Sequence, residues 1–199
     1  MKPILFNTDM VRAILDGRKT VTRRAVKFKP GQNPQWTGYI PDGPVLYGSN
    51  NIPASKSPYH PGDILYVRET WARSMAGTYI YKATDTPIIL DRWRPSIHMP
   101  KEAARLFLRV TDVRVERLQD MNEVDTAKEG IRTDVQTRRL DDPDFIENFG
   151  GIELFKDLWN STIKKSDLDS YGWDANPWVW VIEFERCEKP ERTVQNGKN

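Results

Sequence analysis

The residues best placed to do chemistry in this chain are crowded into one polar, basic run, Gly17-Arg18-Lys19-Thr20-Val21-Thr22-Arg23-Arg24. A lysine whose pKa is lowered by burial, or by neighbours such as Arg18, Arg23 and Arg24, becomes a base toward a threonine hydroxyl or a water. A glutamate elsewhere in the chain would relay the proton, and an arginine would hold an oxyanion or a phosphate. Other common chemistries find little to work with. Only His60, His98 and the single Cys187 are present, so a Ser-His-Asp triad, a Cys-His pair and a zinc site are all poorly supported, and no cofactor is expected. The same run also fits a second role. Together with Lys27 and Lys29 it has the footprint of an edge that contacts phosphate, and equally that of a solvated, salt-bridged surface strand.

The elements around the run explain how it would be held. Residues 8–16 form a short amphipathic helix, with Thr8 as cap, Asp9 at its positive end and Met10, Val11, Ile14 and Leu15 on one face. Gly17 ends that helix in a left-handed conformation. Thr20, Val21 and Thr22 are β-branched and favour a strand, in which alternation puts Thr20, Thr22 and Arg24 on one face. Lys19 lies in the turn, free to point toward Thr22.

The chain opens on an apolar strand at Pro3-Ile4-Leu5-Phe6. From Pro30 to Pro61 the pattern dissolves into proline and glycine, which predicts a long loop with at most one hairpin. Trp36, Tyr39 and Tyr47 lie in that loop, where aromatics anchor to the core or fold back over a base. Pro61-Gly62-Asp63 is a turn before a strand at 64–69 that Glu69 and Trp71 close, and a further strand spans 78–82. A loop from Arg92 to Pro100 holds Trp93. In the strand at 106–116 the apolar positions change phase by one residue, which calls for a bulge near Thr111-Asp112.

A helix over 118–130 has Asn122 as cap and Gly130 as stop, and it carries Glu129 at its negative end. A carboxylate there opposes the helix dipole, so it is either solvated or faces a cation such as Lys19. The acids at 141–144 lack the spacing of a calcium loop. A helix at 152–163 is expected to pack on the final strand, 178–185, with Trp178, Trp180, Ile182 and Phe184 facing the core.

Composition bounds the rest. The chain has 199 residues, 38% hydrophobic and 29% charged, with a net charge of +2. That describes one domain with its core in residues 1–187 and a polar, disordered tail at 188–199. Neither a signal peptide nor a membrane-spanning run is legible, so a cytoplasmic protein with no membrane partner is expected. Short strands at irregular spacing with three helices favour an α+β fold built on a small, mostly antiparallel sheet or barrel.

Gly17-x-Lys19-x-x-Thr22-x-Arg24 resembles the signature of the ASCH (activating signal cointegrator homology) domain, a PUA-like β-barrel superfamily associated with RNA. Pro61-Gly62-Asp63-x-Leu65-x-Val67 and the closing strand 178–184 fit the same order, and Val67-Arg68-Glu69-Thr70-Trp71 with Asn176-Pro177-Trp178 resembles the larger variants of bacteriophages and prophages. The resemblance implies a PUA-like barrel with flanking helices and long insertions near 30–60, 70–100 and 131–150. Some small bacterial ASCH proteins are N(4)-acetylcytidine amidohydrolases that use a Lys, a Thr and a Glu. Lys19 and Thr22 match the first two by motif, and Glu129 matches the third through its place in the helix after the long strand, with Arg24 a substrate or phosphate contact; in the hydrolase reading Glu69 is a second carboxylate for proton relay. Other members are ribonucleases or presumed RNA binders. Two readings follow: a hydrolase of a modified nucleoside amide, or a module for single-stranded nucleic acid in which Lys19, Arg23 and Arg24 hold phosphate while Trp71 or Trp93 stacks a base.

Overall fold

A computed structural model describes residues 1–28, 34–40, 43–48, 53–85, 92–132 and 150–190. Its centre is a five-stranded sheet in the order β1-β6-β9-β10-β2. The strands are β1 (Lys2–Leu5), β2 (Val21–Ala25), β6 (Ile64–Arg68), β9 (Phe107–Arg117) and β10 (Trp178–Cys187). Every pairing is antiparallel except that of β1 with β6. The long β9–β10 ladder is the spine. Its register shifts so that Asp112 faces Glu183 and Val110 faces Phe184, leaving Thr111 unpaired as the bulge that the phase change predicts.

Apolar positions occur on both faces of β10, and both faces are covered. Trp180, Ile182 and Phe184 join Ile4, Phe6, Val11, Ile14 and Leu65 in the main core. Val179 and Val181 point the other way, onto Phe155 and Trp159. Those two aromatics lie on the helix Gly151–Thr162, called α3 here, so α3 packs on the Val179 face of β10 and not on the Trp180 face expected for it. Trp159 Nε1 donates to Tyr171 O at 2.8 Å and ties α3 to the short helix α4 (Leu168–Tyr171).

The sheet does not close into a barrel among the described residues: β1 and β2 are its edges. Side chains fill the gap between them. Arg24 on β2 donates from Nη2 to Leu5 O on β1 at 3.0 Å, and its guanidinium lies 5.3 Å from the centre of the Phe6 ring. A curled sheet with tied edges therefore stands where a barrel is expected.

The 30–60 region differs from its expectation. It folds as three antiparallel strands, β3 (Pro34–Ile40), β4 (Gly43–Gly48) and β5 (Pro53–Lys56), which make two hairpins where at most one is expected. Proline and glycine mask the alternation there, and Leu46, fully buried in the main core, supplies the tertiary reason for order. The 70–100 region holds a hairpin, β7 (Trp71–Arg73) with β8 (Tyr79–Tyr81), closed by a bridge between Trp71 and Arg94. The expected insertion at 131–150 and the tail at 188–199 fall largely outside the described residues, as do the acids at 141–144. Among the described residues no helix is long and apolar enough to cross a membrane.

Helix α1 (Thr8–Leu15) is capped by Asn7, whose side chain accepts from Met10 N at 2.8 Å, and not by Thr8. Asn7 takes the extended conformation of a cap while Thr8 is already helical. Asn7→Ala is expected to lower stability by about 1 kcal/mol, with Thr8→Ala costing clearly less; urea denaturation of both variants distinguishes the two caps.

Candidate functional site

The end of helix α2 (Glu123–Lys128) meets the turn between α1 and β2, and that junction builds the site. Helix ends leave carbonyls without intrahelical partners. Here three of them are answered from one turn: Thr20 N donates to Lys128 O at 2.9 Å, Lys19 Nζ to Glu129 O at 2.9 Å and Arg18 Nη1 to Gly130 O at 2.9 Å. Asn122 caps the start of α2 through a reciprocal pair with Asp125. Gly130 makes the close approach possible. Its φ is +85°, and a Cβ there would lie 2.7 Å from Ala13 Cβ and 3.0 Å from Lys19 Cβ. Gly17, at φ +75° with open space around it, is needed for its backbone alone.

Lys19 is the centre of the junction. Its side chain has no exposed surface, and Nζ donates to Glu129 Oε2 at 2.6 Å, Glu129 O at 2.9 Å and Val21 O at 2.8 Å. All three donors of an ammonium are thus used. Burial pushes the Lys19 pKa below its ordinary value; the Glu129 carboxylate opposes that shift, and Arg24 and Arg23 add to it.

Glu129, 110 positions away in sequence, is the carboxylate expected beside Lys19, and the Lys19 ammonium balances its place at the negative end of α2. Its other oxygen, Oε1, accepts from Arg23 Nη1 at 3.2 Å. Arg23 is as fully buried as Lys19, with Glu116 and Asp125 at 3.5 and 3.6 Å from Nη2. Its Nε and Nη2 nevertheless lack a hydrogen-bond acceptor. A solvated basic strand is therefore not what β2 forms. Alternation puts Arg23 on the face opposite Thr22, and that face is covered as well.

Thr22 is buried on β2, where its Oγ1 accepts from Arg24 Nη1 at 2.8 Å. Arg24 also donates to Arg23 O at 3.0 Å, and its pKa is pulled down by burial, with Glu129 opposing. No hydrogen bond joins Lys19 to Thr22: the turn aims Lys19 at Glu129 instead.

The cluster backs a cleft of about 690 Å³. Arg24 and the exposed Lys27 line one side, Phe155, Leu158 and Trp159 of α3 the other, and Thr70, Pro95 and Ser96 the rim. Arg23 and Glu129 touch the same cleft from behind, with side chains 0% and 4% exposed. Nothing in the spacing of Leu158 and Trp159 on α3 marks them as a cleft wall as distinct from packing residues.

The remaining expected residues lie elsewhere. Glu69 is buried and held bidentately by Arg105, Nε to Oε1 at 2.9 Å and Nη2 to Oε2 at 3.0 Å, so it takes no part in the Lys19 cluster. Nothing in the sequence marks Arg105, because a lone arginine carries no sign of its partner. Trp71 is 4% exposed, packed edge-on to Tyr79 and overlaid by Arg94, which leaves no face for a base. Trp93 is half-buried next to the Trp71–Arg94 bridge. Among the described residues no three His, Cys, Asp or Glu side chains converge as metal ligands.

Comparison with known proteins finds no matching family model and no significant match to a curated protein or a solved structure.

Two measurements probe the junction. Gly130→Ala is expected to cost about 3 kcal/mol, from positive φ and a clash with two side chains, and Gly17→Ala about 1 kcal/mol, from φ alone; urea midpoints give both. Because the folded Lys19 pKa lies below that of the unfolded chain, the unfolded state binds more protons between the two values. Stability therefore gains a rising component with pH across that window, and Lys19→Met is expected to remove it when denaturation is followed as pH rises toward the ordinary lysine value of 10.5.

Proposed function

We propose that this chain is an ASCH-type, PUA-like protein that takes a modified nucleoside into the cleft and hydrolyses its N-acyl amide, with N(4)-acetylcytidine the model substrate. The observation that carries this reading is the hydrogen-bonded meeting of Lys19 with Glu129, next to Thr22 held by Arg24, with Glu129 and Arg24 of that group lining a cleft that has an apolar wall. In this reaction Thr22 Oγ1 bonds to the acyl carbon, and its proton passes across a water to the Lys19–Glu129 pair and on to the amine nitrogen as the C–N bond breaks. Water then releases the acyl group as carboxylate and restores the hydroxyl. Burial favours the neutral lysine that this needs, and Glu129 receives and returns the proton. Arg24, already donating to Thr22, is the group that would steady the developing oxyanion. Leu158 and Ile163, half-buried beside the buried Phe155 and Trp159, offer apolar surface to a base.

A second reading has its own observation. Lys19 and Thr22 have almost no exposed surface, whereas Arg24 and Lys27 line the cleft. That arrangement suits a non-catalytic module in which these two cations hold phosphate and the Lys19–Glu129 pair holds the fold, or a ribonuclease acting on the same backbone.

Incubation with N(4)-acetylcytidine and a panel of acylated nucleosides, followed by cytidine release, tests the first reading. Wild type is expected to turn over at least one of them, and Lys19→Ala, Thr22→Val and Glu129→Gln each to lose at least about 100-fold. Turnover of none, or turnover that survives Lys19→Ala in a folded variant, overturns it. Salt separates the two readings: uncharged nucleoside turnover barely responds, whereas phosphate binding weakens steeply.

A further inference from the structure

Hydrogen bonding along a strand alternates sides, so the pairing of β2 with β10 fixes where the other backbone groups of β2 point. Phe184 N donates to Thr20 O and Val26 N to Trp178 O, both at 2.9 Å, which makes the even-numbered residues of this stretch the ones bonded to β10. Val21, Arg23 and Ala25 therefore turn their N–H and C=O groups away from β10, toward the open edge. The same logic holds for β1. Phe6 N donates to Arg68 O at 3.1 Å, so Ile4 and Phe6 face β6 while Leu5 faces the gap between β1 and β2.

Donors and acceptors in this gap are treated differently. Val21 O accepts from Lys19 Nζ at 2.8 Å, Arg23 O from Arg24 Nη1 at 3.0 Å and Leu5 O from Arg24 Nη2 at 3.0 Å. Among the described residues no acceptor meets the N–H of Leu5 or of Ala25. Cations thus mask these carbonyls and leave the neighbouring donors open. A peptide adding itself as a further strand needs both kinds of group, so the gap is unsuited to one. A ligand that only accepts hydrogen bonds suits it. Leu5, Arg24 and Ala25 all line the cleft, so such a ligand reaches them from there. Arg24 also keeps two of the five N–H donors of a guanidinium, because three are spent on Thr22 Oγ1, Arg23 O and Leu5 O.

We propose that the gap between β1 and β2 holds the acyl end of the ligand, as a carbonyl in the substrate and as a carboxylate in the product, with Ala25 N–H, Leu5 N–H and the unspent Arg24 N–H groups as its donors. The inference rests on the hydrolase reading. The Arg24 nitrogen that caps Arg23 O also holds Thr22 Oγ1, so the hydroxyl stands at the same edge as the donors. As Thr22 Oγ1 bonds to the acyl carbon, the carbonyl oxygen takes up the negative charge; it gives that charge back when the C–N bond breaks and the amine leaves with its proton. Backbone donors fixed in a sheet are already oriented when the charge develops. Strand-edge donors, and guanidinium nitrogens held between two strand carbonyls, lie near the plane of the sheet, which matches a flat acyl or carboxylate group better than a tetrahedral phosphate.

Amide NMR spectra of isotopically labelled protein, titrated with sodium acetate against sodium chloride at equal ionic strength, test the site without turnover. The Leu5 and Ala25 amides are expected to shift downfield along one saturating curve, while the Val26 amide, bonded to Trp178 O, stays in place. No shift at Leu5 and Ala25, or an equal shift with inorganic phosphate, overturns the proposal. Kinetics test the same donor. Ala25→Pro removes only an outward N–H on an edge strand, where proline is tolerated, and it is expected to lower kcat for N(4)-acetylcytidine about 100-fold with KM changed far less. Ala25→Gly, which keeps the N–H, is expected to lose far less. Circular dichroism shows whether the proline variant folds, and a folded Ala25→Pro with the kcat of wild type overturns the proposal. The titration needs no variant and decides the matter if the proline chain fails to fold. Acetate shifts at Leu5 and Ala25 without turnover of any acylated nucleoside leave the gap standing as a carboxylate site and remove the hydrolase; turnover without those shifts does the reverse.

Discussion

A lysine ammonium with no water around it depends wholly on the acceptors the fold supplies. Lys19 is given three, and two of them come from Glu129. Taking both charges out of water is costly, and their attraction offsets that cost only when geometry and remaining hydrogen bonds are satisfied. Arg23 completes the arrangement by occupying the second Glu129 oxygen. The consequence reaches beyond the pair. Because Glu129 ends α2 and Lys19 sits between α1 and β2, the pair fixes where a helix from the second half of the chain docks on a turn from the first. Gly130 is the steric counterpart of the same constraint, since any side chain at that point would push α2 away from Ala13 and Lys19.

From that junction the sheet can be followed outward. β2 is an edge strand, and an edge with Thr22, Arg23 and Arg24 would ordinarily be wet. Thr22 and Arg23 stay dry because each has a partner inside the protein, Arg24 for Thr22 and Glu129 for Arg23, while the half-buried Arg24 reaches Leu5 O as well. Phe6 lies within 6 Å of both the Lys19 and the Arg24 cation, so its ring is attracted to each. Arg24 thus serves two purposes: it ties the sheet's edges and holds the one hydroxyl in the cluster.

The cleft brings unlike surfaces together. One wall is cationic, from β2, and the other is aromatic and aliphatic, from α3, which is present there because Val179 and Val181 on the reverse face of β10 need a cover. A ligand with a flat ring and a polar or anionic group matches both walls at once. The rim residues Thr70, Pro95 and Ser96 come from a segment whose position depends on Arg68, which donates to Met99 O and Ile97 O, and on the Glu69–Arg105 pair. Glu69 therefore shapes the cleft from a distance.

The sequence by itself determined the elements whose signals are local. Helix α1 and its glycine stop, the apolar strands β6 and β10, the Asn122 cap and the bulge in β9 all follow from periodicity, capping and phase. The mismatch of Glu129 with its helix dipole was legible too, and pointed to a cation. What only tertiary structure decided depends on which surface each face meets. Alternation along β2 separates Arg23 from Thr22 but cannot say that both sides are covered. Alternation along β10 shows apolar residues on each face without saying that α3 takes the Val179 side. The three strands at 34–56 carry too much proline and glycine for their period to be read, and they order around Leu46. Glu69 and Trp71 looked available because a sequence does not show partners; Arg105 and Arg94 occupy them in space. Local chemistry sets which elements form, and burial, a property of the whole chain, sets which of their charges remain free to act.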